Sequence, residues 1–380
     1  MSLRVHTRFA GGNAAEVDVI ETGDVPEVRF AADPKGGPEC LWFYFRLVET
    51  DPKPEHAEKK VRLVLKHFDN MLGATSPADC VPVCQPSGQG WLRLRHGEEL
   101  RSADGQRQAA WLISYPTPWT EVAFCFPYGP PDLESLVEKT RDYWQRDSIG
   151  LSQGGRALLR LSNTYGAVGG KHPGIYLVAR QHSGETPGSW VLDGVLRYLA
   201  QTRKGAYMVW AVPFVNLDGV GRGDYGKDGY PCDFNRAWGQ PPMRHETLAI
   251  QRDLLRWKER CHPILALDLH APGACEKDGV YAYVAGEGEE AAVAAATGKW
   301  ANSIQNELKA EFAATQFRRV MNSPSRWSSP TFAQFVRKDL GVPALSLEIP
   351  YALMGNTMLT QKSYREIGRR LAEAIFRRPA

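Results

Sequence analysis

Little in this chain of 380 residues marks it for a special environment. Nowhere do about 18 apolar residues run together, as a bilayer-spanning helix requires. The start, Met1-Ser2-Leu3-Arg4-Val5-His6, lacks the basic-then-apolar pattern of a secretory signal. Both absences point away from a membrane and toward the cytosol. Lys+Arg 46 against Asp+Glu 43 leaves a formal net charge of +3, too small on this length to argue for a nucleic acid or an anionic lipid surface as partner. No base-reading motif offsets that. Seven cysteines, spread singly apart from Cys80 and Cys84, have the spacing of neither a disulfide framework nor a Cys-type zinc site. The absence of internal repeats and low-complexity stretches excludes a solenoid.

What is present is an ordinary globular composition, 43% hydrophobic and 23% charged, on a length that favours two domains. Through about residue 130, short aromatic and β-branched runs recur between Gly, Pro and Asp. They include Trp42-Phe43-Tyr44-Phe45, Val61 to Leu65, Trp91 to Leu94, Trp111 to Ile113 and Val122 to Phe126. That spacing predicts an antiparallel β-sandwich over 1–130. The Pro-Tyr-Gly-Pro-Pro segment at 127–131 breaks the pattern, and helical spacing of Leu133, Leu136, Val137, Thr140 and Trp144 follows. Residues 131–380 then read as an α/β domain with a mixed, mostly parallel sheet flanked by helices. Its strands are expected at 175–179, 208–212, 264–269, 280–284 and 342–349, with helices near 189–201, 245–260, 286–312 and 361–377.

Two motif matches fail on context. Gly150-Leu151-Ser152-Gln153-Gly154 fits the G-x-S-x-G nucleophile elbow, which needs a strand before the serine and a helix after it. Here the helical run at 133–144 precedes and a strand-like run follows. Gly221 to Gly226 fits G-x-G-x-x-G, yet Lys227-Asp228-Gly229-Tyr230-Pro231 stands where a dinucleotide fold needs a helix start.

A third constellation has chemistry behind it. The apolar strand Ile175 to Ala179 ends in a polar turn with His182 and Glu185, and Ile264 to Leu269 ends in His270. Strand C-termini are where open α/β sheets place their ligands. Two imidazoles and one carboxylate make a three-ligand zinc site, which keeps an open position and acidifies water bound there. The plainer readings are a surface turn for His-x-x-Glu and a structural histidine at 270. Asp268, two residues before His270 and on the same side of the strand, could orient a ligand imidazole or merely cap the strand end. Glu348, embedded in the apolar strand Val342 to Ile349, is costly to bury without a task, and we read it as the general base; the alternative is a salt-bridged edge-strand residue. Asn235 beside Arg236 offers an amide donor and a planar fork for a substrate carboxylate, unless the pair is only a polar loop.

Taken in order, His182-x-x-Glu185, Asn-x-Asp-Gly at 216–219, Asp-Phe-Asn-Arg at 233–236, Asp-Leu-His at 268–270 and the late Glu348 resemble the zinc metallocarboxypeptidases. Phe9-Ala10-Gly11-Gly12-Asn13, Trp42 to Phe45 and Ala123 to Tyr128 further resemble the β-sandwich that precedes the catalytic domain in the cytosolic carboxypeptidase branch. The resemblance covers nearly the whole chain. It implies a carboxypeptidase-like catalytic fold and one zinc ion on His182, Glu185 and His270. It also implies Glu348 as base, Asn235 with Arg236 as carboxylate anchor, and removal of single C-terminal residues, in that branch frequently glutamate, from peptides or proteins. Arg318, Arg319 and Arg326, ahead of the strand bearing Glu348, would line a basic pocket suited to that choice.

The chain departs from the family pattern in three places. Leu217 replaces the usual proline of Asn-Pro-Asp-Gly. The arginine that polarises the scissile carbonyl in the family has no counterpart near Gly226, where it would align, leaving Lys227 or Arg222 to substitute. No tyrosine lies within 311–335 to cap the substrate. Two other readings use the same residues: a zinc amidohydrolase acting on N-acyl amino acids, and a non-catalytic binding protein that keeps the scaffold.

Overall fold

Strands form where the sequence concentrates β-branched and aromatic residues, and their burial shows which faces they cover. A computed structural model describes residues 3–51, 59–203, 207–286, 288–321 and 327–377. Its first part holds two five-stranded sheets. One runs in the order β1 (Leu3–His6), β4 (Tyr44–Glu49), β10 (Trp119–Ala123), β6 (Val83–Pro86), β7 (Leu92–Arg93) and is antiparallel throughout. The other runs β2 (Ala15–Ile20), β3 (Glu27–Ala31), β5 (Lys60–Leu65), β9 (Arg107–Ser114), β8 (Glu98–Arg101). Its β3 and β5 are parallel, a departure from the purely antiparallel expectation. The cause is the path of the chain, which crosses to the first sheet as β4 before returning as β5.

Helix α1 (Pro130–Lys139) follows, shorter than the spacing to Trp144 predicts. The eight-stranded sheet beyond it is ordered β11 (Gln145–Leu151), β12 (Ala157–Ser162), β14 (Met208–Val212), β13 (Pro173–Ala179), β15 (His262–His270), β18 (Ala344–Glu348), β16 (Val280–Tyr283), β17 (Ala313–Arg319). Four of its seven pairings are parallel, so it is mixed and mostly parallel. A short hairpin, β19 (Leu353–Met354) and β20 (Thr357–Met358), follows β18. The helices are α2 (Thr186–Thr202), α3 (Leu217–Arg222), α4 (His245–Arg260), α5 (Ala291–Phe312), α6 (Phe332–Leu340) and α7 (Gln361–Arg377).

The side-chain alternation of β13 sorts these helices onto the two faces. Ile175, Leu177 and Ala179 pack with residues of α2, α5 and α7, whereas Tyr176 and Val178 pack with α4 and α6. The first cluster runs on into Phe30, Phe43, Phe45 and Trp111 of the two front sheets, so one apolar core underlies both parts. Helices α2 and α7 meet closely because glycines let them. A Cβ on Gly368 would lie 2.1 Å from the Val191 carbonyl oxygen. We expect Gly368→Val to cost about 1–3 kcal/mol through forced separation of the helices; a thermal melt unchanged from wild type would contradict this contact.

The G-x-S-x-G segment forms the turn between β11 and β12, so a strand precedes it, not the helix expected. The missing helix after Ser152 still excludes a nucleophile elbow. Ser152 instead donates to Asp218 Oδ1 at 2.9 Å, and Gly154 N and Arg156 bind the same carboxylate. Asn216 accepts from Gly219 N and caps α3. The Asn-x-Asp-Gly motif thus ties a helix start to that hairpin. All seven cysteines are free, and no helix among the described residues is long and apolar enough to cross a membrane.

Candidate active site

The C-terminal ends of β13, β15 and β18 lie side by side, and each delivers part of one cluster. His270 and Glu348 are register partners on adjacent parallel strands. Beyond β13 the chain turns sharply through Arg180, whose φ of 65° lies in the left-handed region rarely entered by a non-glycine residue. The turn places His182 and Glu185 against the strand ends before α2 begins at Thr186. Arg180 is itself buried. Its guanidinium donates to the Ser183 carbonyl, to the Tyr128 carbonyl at 2.8 Å and to Ser189 Oγ at 3.1 Å, which ties the turn to α2 and to the segment entering α1. Gly184 leaves no room for a side chain: a Cβ there would meet Trp42 Cβ and Tyr225 Cδ2, each at 3.0 Å. Trp42, just ahead of β4, therefore presses directly on this turn.

His182 Nδ1 lies 2.8 Å from Glu185 Oε1, and His270 Nδ1 lies 2.7 Å from Glu185 Oε2. All three side chains are buried, and their candidate ligand atoms fall within 4.8 Å of one another. The far nitrogen of each ring is backed by a carboxylate. His182 Nε2 lies 3.3 Å from Asp233 Oδ1, and His270 Nε2 lies 2.7 Å from Asp268 Oδ2. Two imidazoles converging on a carboxylate, each with its outer nitrogen held by an acid, is a donor set that fits a divalent metal ion.

Charge follows the same geometry. Burial opposes protonation of His182, but Glu185 and Asp233 outweigh it and push the ring up to about 9. For His270, burial is likewise overcome by Asp268 and Glu185. Burial would raise the Glu185 carboxyl, yet the two histidines hold it well below the usual range. Glu348 behaves oppositely: burial, offset in part by His270 and reinforced by Glu185, pushes its carboxyl up to about 7. Its Oε2 is buried with no hydrogen-bond partner among the described residues, so no salt bridge of the kind an edge-strand glutamate would make holds it.

Of the two cations weighed as replacements for an arginine near 226, Lys227 sits beside Glu185 and Glu348, whose charges outweigh burial and raise its ammonium. It makes no hydrogen bond or ion pair among the described residues. Arg222 is turned to the surface, where it pairs with Asp224 at 2.6 Å. Gly226 has φ 85°, and a Cβ on it would come within 2.5 Å of Ser183 Oγ, so position 226 excludes any side chain. Arg236 is half-buried and reaches Met321 Sδ at 3.5 Å. Asn235 is buried beside it. Its Oδ1 accepts from Phe332 N and Gln181 Nε2, and its Nδ2 lies 3.1 Å from His270 Nε2. Those contacts fix its carbonyl oxygen in the interior, next to the Arg236 backbone. Arg318 is exposed; Arg319 stacks on Tyr281 at 3.5 Å and pairs with Asp278 and Glu276. Arg326 lies outside the described residues.

Sequence reasoning assigned no role to Asp233 or Gln181. Gln181 donates to Asp268 Oδ2 at 2.5 Å and accepts from Trp238 Nε1 at 2.7 Å, completing the frame behind His270. Their positions inside the Asp-Phe-Asn-Arg motif and next to His182 were the available signals.

No family model matches the chain. Among curated proteins it is 25% identical over 290 residues to cytosolic carboxypeptidase 6 of Caenorhabditis elegans, covering 69% of this chain and 61% of that one. It is 26% identical over 313 residues to cytosolic carboxypeptidase 2 of Xenopus tropicalis, covering 74% and 31%. The chain thus spans less than two thirds of either relative's length. Among solved structures, a metallo-carboxypeptidase from Burkholderia cenocepacia superposes with a TM-score of 0.79 at 16% identity, over 99% of this chain and 98% of that one. The chain is thus related in sequence to cytosolic carboxypeptidases and shares the fold of a bacterial metallo-carboxypeptidase along nearly its whole length.

Proposed function

We propose that this protein is a zinc-dependent carboxypeptidase that hydrolyses the last peptide bond of peptides or proteins. The observation that carries the reading is the convergence of His182 Nδ1 and His270 Nδ1 on Glu185, with Glu348 Oε2 unpartnered among the described residues at the end of the next strand. A zinc ion held by His182, Glu185 and His270 would polarise the scissile carbonyl and acidify water at neutral pH. The rest falls to the chain's own side chains. Arg236 binds the substrate's terminal carboxylate through its fork and thereby selects chain ends over internal bonds. Glu348 Oε2 takes the proton of the attacking water and then delivers it to the leaving amine. The Lys227 ammonium meets the negative charge that develops on the carbonyl oxygen, as a point charge without an arginine's two-pronged geometry. Asp233 and Asp268 keep the outer imidazole nitrogens occupied, and thus the rings oriented.

The test is mass-spectrometric scoring of C-terminal residue loss from a defined peptide pool, with N-acyl amino acids run in parallel. Zinc-restorable cleavage of the peptides is expected. Turnover of the acylated amino acids alone would move the reading to an amidohydrolase, and turnover of neither would remove it. The pH profile adds a second check. A base must be deprotonated to work, and burial holds Glu348 up to about 7; a bound cation lowers that value. Activity should therefore rise with pH along an acidic limb centred at or below about 7. A rate that falls across that limb would contradict the assignment.

A further inference from the structure

Next to the site lies a cavity of about 690 Å³ whose walls include Tyr283, Met321, Thr331, Ser346, Glu289 and Arg337. Its position follows from two contacts. Ser346 precedes Glu348 by two residues on β18 and so shares its face, and Met321 touches the Arg236 guanidinium. A terminal residue with its carboxylate on Arg236 and its peptide bond at Glu348 would point its side chain into this space.

Among the described residues, the buried charges of the cavity are a single closed pair. Arg337 Nε and Nη2 meet the two Glu289 oxygens at 2.5 and 2.8 Å, and Nη1 donates to the Ala344 carbonyl at 2.7 Å. The two side chains are only 5% and 4% exposed. Burial would raise the Glu289 carboxyl, but Arg337 holds it below the usual range. Both prongs of the guanidinium fork are thus spent on Glu289, and neither residue has charge left for a ligand. Lys338 also borders the cavity, but it is exposed and its field is screened by solvent. The remaining walls are apolar or neutral polar, and the space greatly exceeds what a small side chain fills.

Resting on the carboxypeptidase reading, we propose that this pocket selects a bulky uncharged C-terminal side chain, and that Glu289 sets the choice by masking Arg337. A charged side chain entering would lose its water and find no free counter-charge. The neutral pocket is thus a choice made by Glu289, and Arg337 is a latent acid-binding group.

The experiment measures kcat/KM of the zinc-loaded protein on peptides identical except for a last residue of Leu, Phe, Gln, Glu or Lys. Wild type should prefer Leu, Phe or Gln over both Glu and Lys by at least about tenfold. Glu289→Gln, which uncovers Arg337, should raise the Glu-to-Leu ratio by about tenfold or more, and Arg337→Gln should raise the Lys-to-Leu ratio instead. Wild-type preference for Glu or Lys would overturn the proposal, as would an unchanged ratio in folded Glu289→Gln. Should neither variant fold, the wild-type ranking decides alone. Absence of cleavage of every peptide would instead defeat the underlying carboxypeptidase reading, and the proposal with it.

Discussion

Glu348→Gln should bind zinc as wild type does and yet release C-terminal residues some 10²–10⁴ times more slowly, the usual weight of a positioned general base. The amide keeps the shape of the side chain and cannot accept the proton. Metal content should be unaffected because Glu348 is not among the three converging donors, and KM should change little because the proposed carboxylate anchor is Arg236, not Glu348. Stability supplies an independent sign. The folded-state carboxyl is raised to about 7 from an ordinary value of 4.5, so folding favours its protonated form. Wild-type, metal-free protein accordingly loses stability as pH climbs from the ordinary value to the raised one. No partner of Glu348 Oε2 is orphaned by the substitution. The variant should therefore melt higher than wild type above about pH 7, with the difference vanishing in acid. Near-normal turnover would end the base assignment whatever the melts show.

Glu185→Ala is expected to give the opposite separation, with the metal lost first and the chemistry as a consequence. Glu185 accepts from both Nδ1 atoms and from Ala271 N at 3.2 Å, so its two oxygens organise the whole donor set. Without it, two neighbouring imidazoles remain, with a third donor gone and the loop at Gly184 freed of its inward anchor. Substitutions that only loosen ligand orientation cost about 10–100-fold in metal affinity; deletion of a donor should exceed that. Asp268→Asn and Asp233→Asn provide the graded controls and should fall within the smaller range. Titration calorimetry of the metal-free proteins would distinguish them. Stoichiometric zinc retained by Glu185→Ala at wild-type affinity would refute the three-donor centre.

Much of this molecule could be read from residue order because its central strands are buried on both faces. Met208–Val212 is apolar throughout and stands in the structure with the bounds expected from its composition. Helices α4 and α7 also match their predicted spans, since each carries an apolar stripe on a polar background. The edges of the sheet were illegible for the converse reason. Gln145–Leu151 and Ala313–Arg319 lie at its two margins, partly exposed and mixed in polarity, so no run marks them. The site divided along the same line. His182, Glu185, His270 and Glu348 stand at the ends of strands or just beyond them, where a local pattern points to them. Asn235 could not be placed that way. Its side chain answers to Phe332, Gln181 and His270, residues between 35 and 97 positions away along the chain. Likewise the masking of Arg337 by Glu289 joins residues 48 positions apart, and a count of nearby arginines cannot register it.

The contact of Trp42 with Gly184 also bears on how such a protein can change over time. The turn that carries two of the three candidate metal donors is moulded against Trp42, just ahead of β4, and one apolar core runs beneath both. Substitutions at position 42 should therefore reach the candidate metal site. A front half borrowed from another scaffold would arrive without the surface against which that turn is formed.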